Sequence, residues 1–191
     1  MGLDSSLYKE KSFYGWGEKY TVSVKGEIDK EYPPRDKDFV PTNWKQENLG
    51  YLTITTEIAY WRKANQIHNW FVETLGGGED NCQRIYCTVD NLKELLETCK
   101  KVKKASKLVE KGTHKVYSLE ESKQIDKPYK VIEDPTVAQQ LLPTTEGFFF
   151  GSTEYDEYYL EDIDNTIEQL TKILKDLENE SEVSVFYQAS W

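Results

Sequence analysis

The chain has 191 residues, 38% hydrophobic and 13% aromatic, with a net charge of −10 and a pI of about 4.8. That length suits one domain, 1–191, able to bury a core without metal or disulfide staples. The charge works against nucleic acid and anionic membrane as direct partners, and no apolar run approaches the roughly 20 residues of a membrane span.

In chain order, residues 3–8 read as a short first strand and Tyr14-Gly15-Trp16-Gly17 as a turn. Tyr20 to Lys25 alternates β-formers and reads as a second strand. Residues 29–50 hold Pro33, Pro34 and Pro41 among many charges, the mark of an irregular surface segment. From Glu57 to Leu75, apolar residues recur at Ile58, Trp61, Ala64, the half-polar His68, Phe71 and Leu75 in steps of three and four, which predicts a helix closed by Gly76-Gly77-Gly78. Arg84 to Val89 reads as a strand, followed by a helix to about Ala105 with Asp90 as its N-cap. Residues 106–130 are charged, and the repeats of β-formers around Gly112 suggest an exposed hairpin inserted on the domain. A short helix, Thr136 to Leu142, lies between Pro135 and Pro143. The last long helix runs from about Asp156 to Glu178, with its apolar stripe at Tyr159, Ile163, Ile167, Leu170, Leu174 and Leu177. Ser184 to Gln188 closes the chain as a strand. Strands at both ends and in the middle, with helices between, predict an α+β fold: a small mixed or antiparallel sheet with three main helices packed on it.

Three cysteines at Cys82, Cys87 and Cys99 match no zinc spacing, and free thiols are expected. Two histidines, His68 and His114, give no metal site, and no cofactor is expected. Thirteen tyrosines and five tryptophans carry much of the apolar area; these rings favour half-wet positions, so aromatic edges or an aromatic-lined pocket are expected.

The densest constellation lies in 57–71. Under helical periodicity Glu57, Trp61, Asn65 and His68 share one face, with Arg62 and Lys63 beside it as positive charge available to an anion. A carboxylate, an indole, an amide and an imidazole together form either a buried, mutually satisfied network or the lining of a ligand pocket. A second candidate is Gly151-Ser152-Thr153 ahead of the last helix, where free N–H groups and hydroxyls suit an anion. Glu154, Asp156 and Glu157 stand in the same stretch and oppose one. Tyr155 and Tyr158 are placed to stack on a ring. No catalytic residue is assigned, since no nucleophile elbow or comparable signature occurs.

Several segments carry a resemblance: Met-Gly-Leu-Asp at the start, Ile58-Ala-Tyr-Trp-Arg-Lys-Ala-Asn-Gln-Ile-His68-Asn-Trp-Phe71, Leu92 to Cys99, Leu142-Pro143, Gly147-Phe-Phe-Phe-Gly-Ser-Thr-Glu-Tyr-Asp-Glu-Tyr-Tyr159, and Tyr187 to Trp191. Together they resemble a family of small uncharacterised proteins of tailed bacteriophages and prophages, over most of the chain except about 26–48 and 106–130. The resemblance implies a bacterial host cytoplasm, where the N-myristoylation pattern Met1-Gly2-Leu3-Asp4-Ser5-Ser6 has no meaning. The expected function is a phage accessory protein, not an enzyme, that binds and sequesters a small nucleotide-like host signal. Its expected contacts are Glu57, Trp61, Arg62, Asn65, His68, Gly151, Ser152, Thr153, Tyr155 and Tyr158. An acidic inhibitor of a host protein and a hydrolase of the same signal are the alternatives, and a homo-oligomer stays open.

Overall fold

The computed structural model describes residues 2–14, 20–22, 44–46, 51–118 and 123–191. Its elements, in chain order, are β1 (Asp4–Tyr14), β2 (Tyr20–Val22), β3 (Trp44–Gln46), β4 (Tyr51–Arg62), α1 (Asn65–Thr74) and β5 (Ile85–Cys87). There follow α2 (Val89–Ala105), β6 (Leu108–Ser118), β7 (Lys123–Ile132), α3 (Thr136–Leu141), α4 (Glu157–Leu177) and β8 (Val183–Ser190). The fold is α+β. The chain divides into two compact units, residues 1–10 with 55–191, and residues 11–54. In the smaller unit β2 and β3 pair antiparallel, with Tyr20 opposite Gln46, and the hydroxyls of Ser12 and Thr53 lie 3.0 Å apart. The expected turn at 14–17, the end of the strand at 23–25 and, apart from β3, the irregular segment 29–50 lie outside the described residues.

The larger unit is built on a four-stranded sheet in the order β4-β1-β8-β5. β4 lies antiparallel to β1, since Tyr60, Glu57 and Thr55 meet Asp4, Ser6 and Glu10 in descending order. β5 and β8 are antiparallel, with Tyr86 opposite Phe186. The core takes Leu3 from just before β1, Leu7 from β1, Ala59 and Trp61 from β4, and Val185, Tyr187 and Ala189 from β8. Ile67 and Phe71 of α1, Leu92, Leu95 and Val102 of α2, and Ile163, Leu170 and Leu174 of α4 complete it. Trp61, Phe71 and Tyr187 form its aromatic centre, the last two stacked at 4.1 Å with an interplanar angle of 9°.

The predicted helix from Glu57 to Leu75 is corrected: residues up to Arg62 are strand, and helix begins only at Asn65. The segment Thr53-Ile-Thr-Thr-Glu-Ile58 is rich in β-branched residues, which favour a pleated strand. Pairing with β1 then outweighs a fortuitous helical spacing. Lys63, at φ 60°, makes the corner: its N–H donates to the Leu3 carbonyl at 2.7 Å, and its carbonyl accepts from Asn65 N–H. The glycine stop holds, with Gly77 and Gly78 at φ 67° and 77° and Gly78 N–H donating to the Val72 carbonyl.

Two further boundaries differ. The N-cap of α2 is Thr88, in a reciprocal capping box with Asn91, while Asp90 sits in the first turn. The strand before it therefore ends at Cys87. The hairpin at 106–130 is present as β6 and β7, but its turn is not at Gly112. Gly112, at φ 134°, marks a register shift within the ladder, and the strands continue to Ser118 and Lys123. At the base of this arm Ile132 N–H donates to the Tyr155 carbonyl and Glu133 N–H to the Lys107 carbonyl. Asp156 caps α4 by accepting from the N–H groups of Tyr158 and Tyr159.

Candidate functional site

The loop between α3 and α4 decides where a ligand can sit. Asn65, the first residue of α1, is buried and acts as its clamp. The amide nitrogen of Asn65 donates to the carbonyls of Ser152 at 2.8 Å and Phe150 at 3.3 Å, and its oxygen accepts from Thr145 N–H at 3.0 Å. Leu3 N–H donates to the Phe149 carbonyl, so the residue just ahead of β1 holds the same loop. Gly151, at φ 100°, packs against the corner. A Cβ there would stand 3.1 Å from the Lys63 Cβ and carbonyl oxygen, so both the backbone and the space require glycine.

A cleft of about 360 Å³ opens between this corner, the loop and the first turns of α4. Arg62, Lys63, Gln66, Gly151 and Ser152 line it, with Tyr158, which is 46% exposed, and the carboxylates of Glu154, Asp156, Glu161 and Asp162. Arg62 and Lys63 have no carboxylate partner among the described residues. The N–H groups of Gly151, Ser152 and Thr153 likewise make no hydrogen bond to a described residue, because the loop's inward contacts use its carbonyls. The Ser152 hydroxyl accepts from Glu154 N–H.

Asp162 Oδ2 accepts from Gln66 Nε2 at 3.1 Å. Burial pushes the Asp162 carboxyl up to about 6; the Gln66 hydrogen bond works against that rise, and Glu161 and Asp156 add to it. Asp156 is spent on its cap. The cleft thus holds two cations, free backbone donors, carboxylate acceptors and a phenol ring.

Of the ten residues named from sequence, Arg62, Gly151, Ser152 and Tyr158 line this cleft, with Thr153 adjoining them. The remaining five are elsewhere. Glu57 is exposed on β4 and accepts from the Ser6 hydroxyl at 2.8 Å. Trp61 is buried and its indole donates to Thr166 at 2.9 Å. Asn65 is the loop clamp. Tyr155 packs on Tyr159 at 5.0 Å, and its hydroxyl accepts from Thr144 N–H. His68 belongs to a buried chain: its Nε2 donates to Asp80 at 3.0 Å, and its Nδ1 lies 2.8 Å from the Tyr187 hydroxyl. Since a carboxylate only accepts, Nε2 is the donor to Asp80, Nδ1 accepts a hydrogen bond from the Tyr187 hydroxyl, and Ser5 bonds to the same phenol. Burial, the largest effect, raises the Tyr187 phenol above its ordinary pKa.

Sequence reasoning missed Gln66, Glu161 and Asp162, and named Lys63 only beside Arg62 as a positive charge available to an anion. Gln66 and Asp162 meet across 96 positions, and nothing local marks them. Lys63 was visible as the neighbour of Arg62, and only the turn at 63–64 brings it to the loop. Among the described residues there is no cluster of His, Cys, Asp and Glu able to hold a metal, and no helix long and apolar enough to cross a membrane. Comparison with known proteins finds no match: no family model, no curated protein and no solved structure aligns with this chain.

Proposed function

We propose that this protein is a phage accessory protein that binds and sequesters a small nucleotide-like signal in the cytoplasm of a bacterial host. The observation that carries the reading is the cleft at the β4–α1 corner, where cations, free N–H groups, carboxylates and the Tyr158 ring meet. Its volume of about 360 Å³ lies at the small end of ligand sites, enough for a nucleotide-sized molecule. An anionic group sits against Arg62, Lys63 and the free N–H groups of Gly151 to Thr153. A base stacks on Tyr158 and offers its N–H donors to Asp162 and Glu161. Glu154 and Glu161 repel extended phosphate chains, so the reading favours a ligand with little negative charge.

The test is calorimetry against a panel of nucleotide second messengers and against small-molecule extracts of infected cells. Saturable heat that is lost in Arg62→Ala/Lys63→Ala is the expected result. Silence with every ligand and extract sinks the proposal.

An acidic inhibitor of a host protein is the second reading, and one observation favours it. Phe148 and Phe149 are 73% and 56% exposed on a loop that Asn65 holds in place. Two rigidly presented phenyl rings are the kind of anchor that protein interfaces use. Specific capture of a single host protein by the wild type, abolished in Phe148→Ser/Phe149→Ser, selects this reading over the first. Hydrolysis of the signal has the least support, since His68 is spent on Tyr187 and Asp80, and Glu57 on Ser6.

A further inference from the structure

A second cleft, of about 300 Å³, is lined by His68, Asn69, Val72 and Glu73 of α1, and unlike the first it has no cationic side chain of lysine or arginine. Phe148, Phe150 and Trp191 supply rings to its walls, and Glu73, Asp80 and Glu146 supply carboxylates. Phe150 and Trp191 stand at a corner, 5.8 Å apart with their planes at 66°, so two ring surfaces converge on one volume.

The Asp80 carboxylate is aimed by two donors. His68 Nε2 donates to Oδ2 at 3.0 Å, and Trp191 Nε1 donates to Oδ1 at 3.2 Å. His68 is itself fixed by Tyr187 and by edge contact with Phe150 at 5.3 Å. A carboxylate oxygen has two acceptor directions. Each oxygen of Asp80 therefore keeps one acceptor direction free of these donors, the number that a bidentate guanidinium requires. A planar cation in that position also lies along the Trp191 ring, which is 45% exposed.

We infer that this cleft binds a guanidinium group carried on a short apolar stem, held by Asp80 and the rings of Trp191 and Phe150. A guanidinium fits better than an ammonium because it is planar and bidentate, and because it is weakly hydrated against aromatic walls. Glu73 and Glu146 add negative potential at the mouth. The site is independent of the cleft at Arg62 and Lys63.

The inference is tested by calorimetry with butylguanidinium, butylammonium and the neutral isostere butylurea on the full chain. Butylguanidinium is expected to bind at least about tenfold more tightly than butylurea, and the difference to shrink as salt is raised. Asp80→Asn and, separately, Trp191→Ala should each weaken it by about tenfold or more, while the remote exposed Glu168→Gln leaves it unchanged. Trp191→Ala alters a half-exposed position, so it keeps the test decisive if Asp80→Asn unfolds the chain. Equal affinity for butylurea, an unchanged constant in both variants, or no binding of butylguanidinium overturns the inference. An arginine-bearing hexapeptide that binds more tightly than butylguanidinium identifies a protein side chain as the source, and equal affinity identifies a free guanidine.

Discussion

At the scale of single residues, two side chains carry most of the consequence. Asn65 satisfies two carbonyls and one N–H of the 145–152 stretch from a buried position. Asn65→Ala leaves those groups without partners, and a cost of about 1–3 kcal/mol is expected, read from urea unfolding. Ligand binding at the Arg62 cleft should weaken with it, because Gly151 and Ser152 lose their anchor. Asp162 acts in the other direction. Its folded pKa of about 6 stands above its ordinary value, so the folded state holds the proton more tightly. Below about pH 4 the carboxyl is protonated in both states and burial costs nothing. As pH rises towards about 6 the unfolded chain releases the proton first, and stability falls. Asp162→Asn should therefore raise the urea midpoint at pH 7 and leave it nearly unchanged at pH 4. An equal gain at both pH values would refute the burial account.

At the scale of elements, the arm of β6 and β7 stands apart. Most of its residues from Glu110 to Asp126 whose side chains are described are exposed, and it is anchored through Leu108, Ile132 and the backbone bonds to Lys107 and Tyr155. Replacing residues 111–129 by a two-residue turn should leave a cooperative thermal transition and an unchanged near-ultraviolet dichroism apart from Tyr117 and Tyr129. Loss of cooperativity would show that the arm supports the core. Elements with strong periodicity were legible from sequence: α2, α4, β8 and the hairpin all form close to where their patterns place them. The segment 57–62 was misread because Ile58, Trp61 and Ala64 fit a helical spacing by chance. The strand partner that settles it, β1, lies about fifty residues away.

At the scale of the whole molecule, core formation sorts the thiols. Burial pushes Cys87 and Cys99 up to about 12, while Cys82 sits at φ 62° in a partly exposed loop. Native protein at pH 8 should take up one alkyl group by mass spectrometry, at Cys82, and the denatured chain three. Labelling of Cys99 in the native state would mean that the α2–α4 contact opens. The same packing gives the molecule two clefts of different lining, one with Arg62 and Lys63, the other with Asp80 and Trp191. A ligand for one should not displace a ligand for the other.

The sequence by itself determined the α+β class, the two long amphipathic helices, the glycine stop after α1 and the free thiols. These follow from local pattern and composition, which act over a few residues. It also marked Arg62, Gly151, Ser152 and Tyr158 as candidates, because unusual residue types stand out wherever they fall. Only the tertiary structure decided that Trp61, Asn65 and His68 are held in the interior. Their partners, Thr166, Ser152 and Tyr187, lie 105, 87 and 119 positions away. A polar group's role depends on whether burial supplies it with partners, and that is set by the packing of distant elements rather than by spacing along the chain.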